Sequence, residues 1–564
     1  MNNESGRELY KRAITRLGVL KQIRQPFEDG WKAILELVRP DLCLWDDAGN
    51  LKNQGKKRNI NVYNGSPQQN LLIWRDGLLG RIASPSLDWF YYLMAEEELN
   101  EIPGVKDWLE DCKAGVKALM KHSNYYSHLA SVMLDAGSIG CAPGWIEKGV
   151  KDDKIVCENF HPYEVYVDEN SDGDVNQWAR GPFEMSAMQA QEKYDQDKLS
   201  WTLQQTLTAG KDPLERFKFT HFCLHKKDPL FKGIEGLPDR EWISFYLQDD
   251  ADDEHREPVK IGGYNTKPFT YWRMFETPGS VYSLGLASFA LIDIFGLNQI
   301  TRTMLRAAHL AVEPATYAAA DMRGKIHIKP GGRMFGEPQS KPEIVYDGGK
   351  YPYGADMLDR QTAAVRQWFD VDFFLMLSKA DKVYTATQIM QMANERAILL
   401  APKIGRLQQD KLSQDHDRIF ALAVEMGKIP PPPPVLLDEA DGKIDVQYNG
   451  LLDRAQRQFQ QIEQMEITLN QYAKILEVAP QERYRVRWDK LSKRILRQSE
   501  AIKEDEIATD EEFNAAVQAE QQQMQAQQLL AAAEQAGKAM PGLSKAPESG
   551  SPIDQLAAAA GAPA

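Results

Sequence analysis

Between Thr385 and Gly427 the sequence specifies a single helix of about forty residues. Thr385-Ala-Thr-Gln388 fits a capping box, Gly427 supplies a left-handed stop, and Pro430 to Pro434 forbid continuation. At about 1.5 Å per residue the rod spans roughly 60 Å. Inside it, Pro402 removes a backbone hydrogen bond and Gly405 loosens the chain, so a kink is expected near 400–405. Long kinked helices rarely belong to enzymes acting on small molecules.

The segments ahead of this rod narrow the fold further. Residues 284–312 read as one long apolar helix, with Asn298, Arg302, Arg306 and Glu313 recurring at three-to-four spacing as a polar stripe on an otherwise buried rod. Such a helix needs neighbours on most sides. Residues 314–352 hold eleven Gly or Pro, too many for a regular helix, with β-like pieces such as Lys325-Ile-His-Ile-Lys329. A second helix is expected at about 355–377, so two rods flank a compact Gly/Pro-rich head.

The N-terminal half is α+β. Residues 5–39 carry Leu9, Ile14, Leu17, Leu20, Ile34, Leu35 and Val38 near helical spacing before Pro40, and helical patterns dominate from about 60 to 135. Over 139–182 and 215–275, short β-rich runs (Lys154–Cys157, Glu164–Val167, Trp242–Leu247) are separated by Gly, Asp and Pro turns, which predicts antiparallel strands. After the proline run, Lys443–Tyr448 is strand-like and helices are expected at about 451–478 and 481–504. Residues 510–537 are Gln/Ala-rich and helical only if neighbours supply contacts, and the tail from about 538 reads as disordered.

Bulk properties exclude several classes. At 564 residues two or more structural units are expected, and no apolar stretch reaches the ~20 residues of a membrane span. The N-terminus lacks the apolar core of a secretory signal, so assembly in a cytoplasm is expected and disulfides are not. The five cysteines are scattered and never spaced CxxC, and read as buried thiols. A net charge of −14 disfavours tight DNA binding, which needs clustered Lys and Arg; the short basic run Gly55–Arg58 reads as a solvated loop.

No catalytic set stands out. Asp168-x-Asn170-x-Asp172-Gly173 imitates the start of a calcium loop, but Ala179 stands where the bidentate Glu belongs, and a hairpin turn explains the same residues. His221, Cys223 and His225 alternate on one face of a strand, as a half-buried strand requires, and lack a fourth metal ligand. The chain contains no GxxxxGK[ST], HExxH, GxSxG or HxE…PCxxC pattern. The clusters Gly137-Ser-Ile-Gly140, Gly331-Gly332 and Gly77-x-x-Gly80 read as packing or turns, and no metal or cofactor is implied.

The order of rod (284–312), Gly/Pro-rich head (314–352), returning rod (355–377), short loop, long kinked helix (385–427) and C-terminal helical region resembles that of phage portal proteins. Tyr384-Thr-Ala-Thr-Gln-Ile-Met390, Asn394-Glu395-Arg396, Leu400-Ala-Pro402, Gly405-Arg406-Leu407-Gln408 and Leu451-Leu-Asp-Arg-Ala-Gln-Arg457 are similar to the head-to-tail connector family of short-tailed phages. So are Tyr63, Asn70-Leu71, Gly77-Leu78, Pro85, Trp89-Phe90, Phe160–Val167, Tyr282-Ser-Leu-Gly285 and Leu297-Asn298, and the likeness covers roughly residues 5–505.

The resemblance implies a predominantly helical α+β portal fold. Its parts are an N-terminal α+β wing region (1–282), a stem helix (283–312), a clip (313–352), a second stem helix (353–378), a tunnel loop (379–384), a long kinked wing helix and strand (385–450), a helical crown (451–537) and a disordered tail (538–564). It implies a non-enzymatic subunit of a twelve-membered ring at one capsid vertex, with DNA in transit through it. The implied partners are the terminase large subunit, a tail adaptor, the major capsid protein and a scaffolding protein, with no membrane. Apolar faces of the stem rods would be buried against neighbouring subunits. Lys379 and Lys382 map onto the tunnel loop, where they would meet phosphates transiently. Arg323, Lys325, Lys329 and Arg333 of the clip face either DNA or the motor and tail adaptor. Packaging force would come from a separate ATPase, since this chain lacks a phosphate-binding loop. An internal virion or tail structural protein would share the Gln-rich helical character but not the 284–427 order, and a nucleic-acid-processing enzyme would need clustered carboxylates that the sequence does not show.

Overall fold

A computed structural model describes residues 3–42, 61–149, 153–208, 212–252, 255–312, 315–318, 343–346, 352–375, 399–438 and 444–448, with single positions at 320 and 525. The chain divides into two compact units, Met1–Phe459 and Gln460–Ala564. All but one of the described residues belong to the first. The expected crown and tail, the basic run at 55–58, Lys379 and Lys382, the clip residues Arg323, Lys325, Lys329 and Arg333, and Glu313 lie outside the described residues.

The chain opens with α1 (Asn3–Val38), whose Leu9, Ala13, Leu17 and Leu20 recur every three to four residues and are all buried. Two helices, α2 (Ser66–Ile82) and α3 (Pro103–Lys121), flank the first strand, β1 (Phe90–Met94). Sequence patterns point to helix throughout this stretch; β1 instead finds a partner more than three hundred residues away. Helix α4 (Tyr125–Ile139) ends on Gly140 in the left-handed conformation (φ 92°), and β2 (Cys141–Lys148) starts at once. A Cβ at Gly140 would overlap the backbone of Leu284 and Gly285, so this crossing demands glycine. Gly137 faces Leu71 and Trp74, and Gly77 faces Phe374; these glycines serve packing and turns.

The remaining strands build two main antiparallel sheets. Strands β3 (Ile155–Asn159), β4 (Val165–Glu169) and β5 (Val175–Ser186) are followed by the short helices α5 (Ala187–Lys193) and α6 (Trp201–Thr208). Next come β6 (Arg216–His225), β7 (Trp242–Gln248), β8 (Lys260–Tyr264), β9 (Phe269–Arg273), β10 (Phe275–Thr277) and β11 (Ser280–Leu284). The five-stranded sheet runs β4-β5-β6-β7-β8 and the three-stranded sheet β3-β2-β9. The candidate calcium loop is the β4–β5 turn: Asn170 Oδ1 accepts from the amides of Asp172 and Asp174, and Gly173 has φ 81°.

Strand β6 is buried on both faces rather than one. Phe222 and Leu224 pack with Phe245 and Leu247 under α1, while Cys223 points into the larger core. Arg24, the one charged side chain of α1 sealed beneath this sheet, lies 3.7 Å from the Tyr166 ring centroid, donates to the carbonyls of Tyr163 and Val165, and pairs with Glu28 at 2.8 Å. Those contacts offset the desolvation of a buried guanidinium.

After β11 the chain becomes helical: α7 (Leu286–Val312), a strand pair β12 (Ala315–Tyr317) and β13 (Glu343–Tyr346), then α8 (Pro352–Trp368). The returning rod expected over 355–377 is broken. Asp370 takes a left-handed conformation (φ 52°) that ends the run, and a single turn, α9 (Val371–Phe374), follows. The long rod is described from residue 399 onward as α10 (399–407), six π-helical residues Gln408–Ser413, and α11 (Gln414–Glu425). The departure from α geometry thus begins at Gln408, beyond the regular helical stretch that holds Pro402 and Gly405. A short α12 (Pro434–Asp438) precedes β14 (Ile444–Tyr448), which pairs antiparallel with β1 from Phe90↔Tyr448 to Met94↔Ile444.

Candidate functional site

Helices α7 and α8 form an antiparallel hairpin whose register is set by polar contacts. Gln361 Nε2 donates to Asp293 Oδ1 at 2.7 Å, and Trp368 Nε1 donates to Asp293 Oδ2 at 2.8 Å. Gly354 faces Met304 further along. The base of the hairpin is anchored in the core through Leu286, Ala287, Ala290, Ile294 and Leu297, while Phe289, Ile292 and Phe295 are exposed. Within one chain the apolar residues of α7 therefore divide between a core face and an open face.

The supposed stripe separates into different roles. Asn298 is buried and fixes an incoming loop, accepting from the Tyr63 amide at 2.7 Å and donating to the Asn61 carbonyl at 2.9 Å. Arg302 lies over the Tyr63 ring at 5.4 Å, and Arg306 is exposed. The first two hold residues 61–64 against α7, together with the Asn64–Thr301 hydrogen bond.

The π-helical turns carry a charged cluster that sequence reasoning missed. Widening the helix rotates consecutive residues inward, so Asp410, Lys411 and Leu412 are all buried. Lys411 Nζ lies 2.9 Å from His128 Nε2 and donates to Thr270 Oγ1 at 2.8 Å and to Asp415 Oδ1 at 2.9 Å. Asp415 also accepts from the Tyr125 hydroxyl. Asp410 pairs with Arg406 at 2.9 Å and with Arg273, which in turn reaches Glu169. These pairs tie the rod to β9, α4 and the β4–β5 turn. The available signal was the Lys411–Asp415 spacing of four, indistinguishable in sequence from a solvated helix pair.

Next to this cluster, His416 is packed among Trp89, Phe90 and Tyr92, with Nδ1 3.0 Å from the Tyr92 hydroxyl. Burial holds its pKa down to about 3. Since the folded value lies below the unfolded one, the unfolded chain binds a proton between about pH 3 and 6.5 that the fold refuses, so stability falls as pH drops through that window. His416→Phe is expected to remove about 2 kcal/mol of the loss seen between pH 7 and 5, measured as the difference in urea unfolding between variant and parent.

The metal candidate on β6 resolves into packing. His221 Nε2 bonds Ser244 Oγ at 2.8 Å and the ring stacks on Tyr246, Cys223 is in the core, and His225 meets the edge of Trp242. Among the described residues, no group of three or more His, Cys, Asp or Glu is placed to hold a metal ion, and no helix is long and apolar enough to cross a membrane. Cys112, Cys141, Cys157 and Cys223 are free and buried.

Residues 10–501 match the family described as bacteriophage head to tail connecting protein. The chain is 24% identical over 467 residues to the probable portal protein of Bordetella phage BPP-1, and 21% identical over 463 residues to the portal protein of Salmonella phage epsilon15. Each alignment covers 79% of this chain and 80% of the relative. A solved chain from the neck of an empty GTA particle, computed with C6 symmetry, is similar at 11% identity over 72% of this chain and 84% of that one, with a TM-score of 0.30.

Proposed function

Because the chain belongs to the bacteriophage head to tail connecting protein family, we infer that it is a portal subunit, one member of a ring at a capsid vertex through which double-stranded DNA is packaged and ejected. The family is a structural one, and its place between head and tail implies capsid and tail partners. The observation that carries the reading is the family match from residue 10 to 501, which spans nearly the whole chain. The open apolar face of α7 supports it, because a helix face of this kind is covered when identical copies pack side by side.

In the finer reading, twelve subunits form the ring, and α7 and α8 are the stem around the 313–352 clip. The clip then meets the terminase large subunit or the tail adaptor. Twelve copies at −14 each carry a formal charge of −168. A channel lined by such subunits repels phosphate along most of its length and lets DNA slide. Lys379 and Lys382 then act as isolated, transient contacts in the tunnel loop.

Electron microscopy and native mass measurement of the purified full-length chain test this directly. The expected result is a ring with a central hole and a mass of about 770 kDa, twelve times 63.9 kDa. A monodisperse particle of single-chain mass under assembly-permissive conditions would overturn the reading.

A further inference from the structure

We propose that the ring closes through a knob and a groove carried at the same height on opposite sides of the α7–α8 hairpin, with Ile292 and Phe295 of one copy seated against Ala363, Gln367, Phe373 and Leu399 of the next. The inference rests on the portal reading and adds to it the surfaces that meet.

The knob lies on a straight line along α7. Ile292, Gln299, Thr303, Arg306 and Leu310 follow one another at spacings of seven, four, three and four, which places them on one face of a 3.6-residue helix, and all are exposed. Ile292 is 85% exposed and Phe295, beside it, 55%. This face points neither to α8, which meets Asp293, Gly296 and Met304, nor to the core, which takes Ile294 and Leu297. Nothing among the described residues of the same chain covers it.

The groove lies on the other helix. Ala363 and Gln367 sit two and six residues beyond Gln361, on the side of α8 turned away from α7. With Phe373 of α9, Leu399 and Leu400 at the start of α10, and the carboxylates of Asp370 and Asp372, they line a cavity of about 420 Å³. Asp370 is paired with Lys403 and Asp372 with Arg366, which leaves Ala363, Phe373 and Leu399 as its apolar wall. Leu399 is 75% exposed at its rim.

Register decides that these two surfaces match. Asp293 bonds both Gln361 and Trp368, so Ile292 stands level with the groove residues along the hairpin axis. At the far end Met304 faces Gly354, so Arg302 stands level with the first turns of α8, where the outward Asp356 is shared with Arg360 of its own helix at 2.9 Å. Rotation about a ring axis running along the hairpin preserves height. The apolar knob then meets the apolar wall of the groove at one level, and guanidinium meets carboxylate about two to three helical turns away. Beyond Asp293, α7 contains no acidic residue to spoil that pairing. Because each copy carries one knob and one groove, the contact is head-to-tail and propagates around the ring instead of stopping at a dimer.

The test uses the full-length chain with Ile292→Cys and Ala363→Cys combined, treated with a short bismaleimide and run on a denaturing gel. The expected result is a ladder that climbs past the dimer towards the full ring; each single variant and the parent give none. A double variant that forms rings by electron microscopy but yields no ladder, or one that stops at the dimer, overturns the interface while leaving the portal reading standing. A parent chain that stays single overturns both. Independently, Ile292→Glu is expected to leave the circular dichroism spectrum unchanged and to lower the assembled fraction at limiting concentration by about tenfold or more. An unchanged assembled fraction would sink the proposal.

Discussion

Replacing Lys411 with Met is expected to destabilise the first unit by roughly 3–5 kcal/mol. The ammonium has three protons to give, and three buried groups stand around it: His128 Nε2, Thr270 Oγ1 and Asp415 Oδ1. His128 can accept because burial, reinforced by the neighbouring Lys411 charge, holds its pKa well below the ordinary range and keeps the ring neutral. Methionine fills much of the same volume and supplies none of the three bonds. Asp415 is then left wholly buried with only the hydroxyls of Tyr125 and Thr270 beside it, and its pKa, already raised by burial against the pull of Lys411, must rise further. The loss is therefore expected to shrink at low pH, where the carboxyl takes up a proton. Thermal unfolding of the parent, Lys411→Met and the double variant Lys411→Met/Asp415→Leu checks this. Most of the lost stability should return in the double variant, because removing both charges leaves no uncompensated ion. A single variant as stable as the parent would show that the cluster is not closed to water.

Gly140→Ala is expected to cost about 3 kcal/mol or more, read as a drop in the urea midpoint of unfolding. Two effects act together. The left-handed backbone disfavours any Cβ by roughly 1–2 kcal/mol, and the added methyl would overlap the main chain of Leu284 and Gly285, which has no rotamer through which to retreat. Gly173→Ala supplies the contrast within the same protein. Its φ is similarly positive, 81°, but nothing lies within 4 Å of the added carbon, so only the conformational cost of about 1 kcal/mol remains. Equal losses at the two positions would contradict the close crossing at Gly140.

The parts of the fold legible in sequence are those in which a local pattern and a tertiary outcome agree. The α1 core positions, the Asp-Gly turn after β4 and the strand at Ile444–Tyr448 all carry their signal in a few adjacent residues. What escaped depends on partners distant in sequence. Phe90–Met94 holds five apolar residues that suit helix or strand equally, and only β14 decides the matter. The break at Asp370 follows no glycine or proline, and its left-handed conformation is supported by Lys403, which pairs with the Asp370 carboxylate at 2.7 Å. Lys411 and Asp415 look like a surface pair until the π-helical turns rotate them inward. For the candidate site, the apolar content of α7 was evident, but the division between core face and open face was not. Ile292 and Ile294 are chemically identical and differ only in which way the helix turns them.

The β1–β14 ribbon also governs how this polypeptide is born. Some 350 residues separate Met94 from Ile444, and at about 5–20 residues per second a ribosome needs roughly 20 to 70 s to span them. Throughout that interval Phe90–Met94 has emerged without the strand that will complete it. The helices bearing the knob and the groove are translated within the same interval, so their sticky surfaces exist before the unit that carries them can close. A nascent chain of this kind must keep from sticking to its siblings until its last strand arrives, and productive ring building waits on the far end of the message.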